Sequence, residues 1–154
     1  MLLPLSGCDD APSRPGKGFY SYQGFRDWWR IPLRFPYQIT MIDSMKSGIL
    51  EKYDPSSPVD APKCETLATE VTAVGYDGKF AAFKQDGDTT VFGILCYDSG
   101  SVKKFETEEA LADFIRKNYP ATSPPELVKL DKFYELMWRA IDKIKRTDPR
   151  KLVY

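Results

Sequence analysis

EVTAVGY (70–76), DG (77–78), KFAAFKQ (79–85), DGD (86–88), TTVFGILCY (89–97), DSG (98–100) and SVKKF (101–105) form the stretch that decides the fold. Short apolar and β-branched runs alternate with clusters of turn residues, the pattern of strands joined by hairpins. Asp77-Gly78 is the dipeptide that a type I′ turn prefers, because both of its central residues need φ > 0. Asp86-Gly87-Asp88 and Asp98-Ser99-Gly100 supply the next two turns. The stretch predicts a four-stranded antiparallel meander. TVFGILCY is almost continuously apolar, as expected of a central strand covered on both faces.

Two helices are predicted downstream. Thr107 caps the first, with Glu108 and Glu109 at the positive end of its dipole, Leu111, Phe114 and Ile115 as its apolar face, and Asn118-Tyr119-Pro120 as its end. Ser123-Pro124-Pro125-Glu126 reads as a capping box opening the second, with Pro at the first helical position. Leu127, Leu130, Tyr134, Met137, Trp138, Ile141 and Ile144 make one stripe down to about Arg146. At about 1.5 Å per residue this helix spans roughly 30 Å, enough to cover a sheet. Lys143, Lys145 and Arg146 complement its C-terminal end and are also of the type that meets anionic lipid.

Upstream, YQITMI (37–42) and ILEKY (49–53) read as two strands joined across 43–48. Asp54–Lys63 carries three prolines and is expected as a surface loop. FYSYQGFRDWWRIPLRFPY (19–37) holds eight aromatic residues. Pro32 and Pro36 each remove a donor and push the preceding residue into extended backbone. Trp28–Phe35 is therefore expected to lie extended across the core, outside the sheet. The aromatics either plug one end of the domain or form a contact surface, with Trp28, Trp29, Arg30 and Arg34 as the contact residues, since exposed Trp and Arg dominate hot spots. The fold class is α+β: an antiparallel sheet of about five or six strands packed on a long C-terminal helix, with one shorter helix.

Composition narrows the chemistry. The chain has 154 residues, with Lys+Arg and Asp+Glu both at 22, so no electrostatic footprint for nucleic acid exists. No apolar run approaches the ~20 residues of a spanning helix. Histidine is absent, which removes His-based acid/base catalysis, Ser-His-Asp and Cys-His systems, and the usual zinc catalytic sites. No phosphate-binding glycine loop occurs. Ser101-Val-Lys-Lys104 fits S-x-x-K only formally, since it falls on a strand rather than opening a helix. No cofactor or metal site is expected. Asp77 and Asp98 fall on turns at one end of the meander. They would serve a carboxylate-based hydrolase if a cleft held them within about 10 Å; otherwise they are ordinary turn residues.

Near the N-terminus, Leu5-Ser6-Gly7-Cys8 resembles the lipobox of a bacterial lipoprotein, in which the cysteine is diacylated and becomes the first residue. Only seven residues precede Cys8, fewer than a full export signal needs, so the gene product is expected to start further upstream. Residues 9–18 are polar and rich in Pro and Gly, as suits a tether. The organisation expected is residual signal and tether over 1–18 and one globular domain over 19–154.

The resemblance implies lipid on Cys8 and an exported domain facing the periplasm. Asp9, by similarity to enterobacterial sorting, implies retention at the inner membrane. In that oxidising compartment Cys64 and Cys96 are left either as a disulfide or as two separate buried thiols. A disulfide would close a loop of about 30 residues, worth roughly 3–4 kcal/mol. WRIPLRFPY (29–37) also resembles segments of small bacterial lipoproteins, some of them immunity-like. These resemblances imply a non-enzymatic, lipid-anchored domain that binds another protein and neutralises a toxin or hydrolase. The alternative is a structural lipoprotein that scaffolds an envelope complex or contacts peptidoglycan or membrane.

Overall fold

The computed structural model describes residues 19–20, 22–25, 28–58 and 60–147, so the readings made on 1–18, Cys8 and the tether included, lie outside the described residues. The strands are β1 (Gly24–Phe25), β2 (Trp28–Pro32), β3 (Tyr37–Ile42), β4 (Gly48–Tyr53), β5 (Cys64–Tyr76), β6 (Phe80–Asp86), β7 (Thr90–Cys96) and β8 (Val102–Phe105). They are followed by helix α1 (Glu108–Asn118), the two-residue strand β9 (Val128–Lys129) and helix α2 (Leu130–Thr147). The fold is α+β. The first eight strands lie in one antiparallel sheet in sequence order, and β9 pairs with β5 at Ala73 and Val74.

The sheet exceeds the expected five or six strands because extended chain recurs where the sequence reads otherwise. Trp28–Pro32 is not outside the sheet: it pairs with β3 from Trp28↔Ile42 to Pro32↔Gln38. Pro32 is tolerated because its nitrogen faces away from β3, on the side where β1 pairs only with Trp28 and Trp29, so no ladder bond is lost. The long helix does not begin at Ser123. Pro124 and Pro125 hold their predecessors extended, and the chain stays extended to Lys129 against β5 before turning helical at Leu130. Gly75 permits this approach, since a Cβ there would stand 2.9 Å from Pro125 Cγ. Leu127 consequently leaves the helical stripe. β5 starts at Cys64 rather than Glu70. Glu70 has φ 53° and the register shifts between Val71 and Ala73, so the expected strand start is a bulge that bends one long strand.

That bend divides the sheet. One edge of β5 carries β4 along 64–71, while the opposite edge carries β6 along 71–76. The two halves curl round one core that includes Ile31, Ile39, Leu50, Val74, Phe83 and Leu95. Tyr37 of the first half stacks on Tyr97 of the second, centroids 5.7 Å apart. Helix α2 closes the open side against β2, β5 and β9, burying Trp138 and Ile141. The Trp138 indole N–H donates to the Arg30 carbonyl at 2.9 Å.

The outer face of the second half is covered separately. Phe80, Ala82 and Ile94 alternate with the inward residues and pack on Leu111 and Ile115 of α1. Strand β7 is therefore covered on both faces, as its apolar run requires. Burial of Phe80, Ile94, Leu111 and Ile115 is worth about 1.5–3 kcal/mol each. Helix α1 begins as the sequence indicates: Thr107 Oγ1 accepts the Ala110 N–H at 3.2 Å, with Glu108 and Glu109 in the first turn.

Candidate functional site

The outer face of the first half is different in kind. Inward residues Ile31, Ile39, Met41 and Leu50 alternate with Arg30, Gln38, Thr40 and Glu51, which point outward and are nevertheless buried. Phe19, itself buried, lies on Arg30, whose guanidinium carbon is 4.4 Å from its ring centroid. Arg30 Nη1 donates to the carbonyls of Phe19 and of Tyr22, the latter at 3.1 Å, and Nε donates to Gln38 Oε1. Gln38 passes the chain on, donating from Nε2 to Glu51 Oε1 at 2.8 Å, and Thr40 Oγ1 donates to the same oxygen. Arg30 Nη2 has no hydrogen-bond partner among the described residues. Burial pulls the guanidinium down to about 10, which still leaves it protonated at neutral pH.

Cys64 borders this cluster. Its Sγ lies 3.4 Å from Gln38 Nε2, and burial, reinforced by the neighbouring Glu51 carboxylate, pushes the thiol up to about 12. A thiol so poised is a poor nucleophile at neutral pH. Cys96 sits elsewhere, opposite Phe80 on β7, where its sulfur accepts the Tyr119 hydroxyl at 3.0 Å. The two cysteines are free thiols in separate clusters rather than a disulfide, because β6 stands between their strands.

The four contact residues read from the aromatic run part company. Arg30 never reaches the surface; it organises the buried cluster. Trp29 points inward against the main core. Arg34, at the turn before β3, pairs with Asp98 at 3.0 Å, with side chains 41% and 80% exposed, and approaches the ring of Tyr97. Trp28 is half-buried on the outer face. It leans on Tyr22, centroids 5.6 Å apart, and stands directly opposite Ile42, which is 57% exposed. Tyr22, Trp28 and Ile42 thus form an apolar rim beside the sheet edge made by the two-residue β1. Sequence reasoning missed Gln38, Thr40 and Glu51, whose alternation with apolar residues is the usual mark of a solvated face. The aromatic density just before them was the one signal that something covers that face.

The carboxylates of the meander turns are occupied structurally. Asp77 Oδ1 accepts the Lys79 N–H at 2.9 Å, shaping its own turn, and Asp98 holds Arg34 at the surface. A groove of about 330 Å³ elsewhere is lined by Met45, Lys46, Thr72, Lys84, Lys129 and Asp131, among others. Among the described residues, no group of three or more Cys, Asp or Glu is placed to hold a metal ion, and no helix is long and apolar enough to cross a membrane. Compared with protein-family models, with curated proteins and with solved structures, the chain matches none.

Proposed function

We propose that this protein is a non-enzymatic domain, lipid-anchored through Cys8 on the periplasmic face of a bacterial membrane, that binds another protein and neutralises a toxin or hydrolase. The observation that supports a binding role most directly is the rim of Tyr22, Trp28 and Ile42. An isoleucine 57% exposed, directly opposite a half-buried tryptophan, puts apolar surface beside a sheet edge that ends in the two-residue β1. Large exposed apolar groups of this kind mark contact surfaces. The hydrogen-bonded cluster from Arg30 to Glu51 ties together the strands that carry Trp28 and Ile42, and order already present in the free protein lowers the cost of binding. The anchor rests on Leu5-Ser6-Gly7-Cys8 and on the polar tether that follows.

The test has two arms. The chain expressed with its genomic upstream region in a bacterium is expected to give the mass of a diacylated protein beginning at Cys8. A photo-crosslinking amino acid at position 42 is expected to give a discrete protein adduct in those cells, and one at Lys117, exposed on α1, none. An unmodified chain removes the anchor. Equal adducts at both positions, or none at 42, remove the rim as the contact.

A further inference from the structure

The exposed side of α2 sorts its charge. At 100° per residue, Lys132, Leu136, Arg139, Lys143 and Arg146 fall within an arc of about 80°. All five are exposed, with Leu136 49% exposed near the middle. No carboxylate lies inside the arc. Glu135 flanks it and pairs with Arg139 at 3.8 Å, and Asp142 flanks the other turn and pairs with Lys145 at 3.7 Å. Lys145 is off the stripe, its ammonium 5.6 Å from the Trp138 ring centroid. Arg139, Lys143 and Arg146, with Asp142 and Thr147, border a surface groove of about 320 Å³. In a chain whose net charge is zero, four cations on one helical face is a segregation of charge. The sequence places Lys143, Lys145 and Arg146 together as a helix end; the packing of Trp138 and Ile141 instead selects Lys132, Arg139, Lys143 and Arg146 as one surface.

We infer that this face docks on an anionic membrane surface. The stripe runs about 21 Å along a convex helix, with flexible cationic arms at intervals and one leucine between them. A convex row of mobile cations matches a plane of phosphates, and the leucine reaches the boundary of the acyl region, as in helices that lie in the interface. Each cation near such a surface multiplies partitioning by about fivefold, and the attraction is screened within a Debye length. The surface is separate from the Tyr22–Trp28–Ile42 rim, so the inference stands without the protein-binding reading, and neither test decides the other.

The experiment uses the full chain purified without acyl modification and vesicles of phosphatidylcholine with or without phosphatidylglycerol. Co-sedimentation with the anionic vesicles alone is expected, falling to background at about 0.5 M salt. Arg139→Glu/Lys143→Glu is expected to weaken it at least ~25-fold, while Arg139→Lys/Lys143→Arg and the distant control Lys104→Glu/Lys117→Glu leave it within about twofold. Circular dichroism checks that each variant is folded. Absence of binding to anionic vesicles, or equal loss in the control variant, overturns the inference. So does a cross-linker at position 143 that captures an acidic protein while the vesicles are ignored.

Discussion

The two outer faces of the sheet are built on the same alternation and covered by opposite chemistry. Over β6 and β7 the outward residues are Phe80, Ala82 and Ile94, and a capped helix lies on them through Leu111 and Ile115. Over β2, β3 and β4 they are Arg30, Gln38, Thr40 and Glu51, and what lies on them is an aromatic segment that supplies Phe19 as a lid and backbone carbonyls as acceptors. The first face is stabilised by area removed from water and tolerates small adjustments of angle. The second depends on each donor meeting its acceptor, because a buried polar group without a partner costs about 1–3 kcal/mol. The difference is one of specificity: the helix-covered face needs a shape, and the segment-covered face needs an address for each atom.

The comparison can be broken by mutation. Phe80→Ala opens a cavity under α1 and is expected to lower unfolding free energy by about 4 kcal/mol in chemical denaturation; a loss below about 1 kcal/mol would mean that α1 is not held by this packing. Arg30→Met orphans the Phe19 and Tyr22 carbonyls and Gln38, and is expected to lose about 3 kcal/mol. Adding Glu51→Gln to it is expected to recover about 1 kcal/mol, measured as a double-mutant cycle. A neutral or stabilising Arg30→Met would show that the polar face contributes uniqueness of packing rather than stability.

A chemical probe sharpens the same contrast. With its thiol held up to about 12, Cys64 stays protonated, and in the folded chain it is expected to alkylate at least ~10-fold more slowly at about pH 8 than in guanidinium. Glu51→Gln is expected to speed the folded reaction. The stability gained by keeping that proton is complete below about pH 9 and is lost as pH rises toward about 12, since the unfolded chain releases it first. The smallest effect is expected at the surface. Arg34→Ala breaks a pair whose partners are both well exposed and is expected to change stability by no more than about 0.5 kcal/mol.

What was legible in the sequence follows from which interactions are local. The hairpins of 70–105 were readable because clusters of Asp, Gly and Ser mark where the chain reverses; the type I′ turn expected at Asp77-Gly78 does not form, since neither residue has φ > 0 and the Asp77 N–H donates to the Phe80 carbonyl across Gly78 and Lys79. Thr107 and the two glutamates stated α1 for the same reason. Glu70 misled because a bulge carries no fixed residue signature, and a charged residue with φ 53° inside a strand looks like the strand's beginning. Ser123-Pro-Pro-Glu126 misled because the capping pattern is local while the extended pairing of β9 with Ala73 and Val74 is not. The polar outer face was illegible for the same cause. Gln38, Thr40 and Glu51 look solvated until their hydrogen bonds to one another and to Arg30 are known, and Arg30 looks like a surface hot spot until its seat among the Phe19 and Tyr22 carbonyls is seen.

Arg30 is fastened from two directions: its side chain to carbonyls just upstream, and its own carbonyl to the Trp138 indole, 108 residues downstream. The first attachment closes loops of only 11 and 8 residues. The second closes a loop of 108 residues and so carries the larger cost in chain entropy. Until it forms the core has walls and no roof, and the contact that closes it has the largest sequence separation of the side-chain hydrogen bonds among the described residues. Such topology folds late and slowly relative to its hairpins. A domain that folds in that order leaves Ile31, Ile39 and Leu50, already on one face of the sheet, open until α2 arrives.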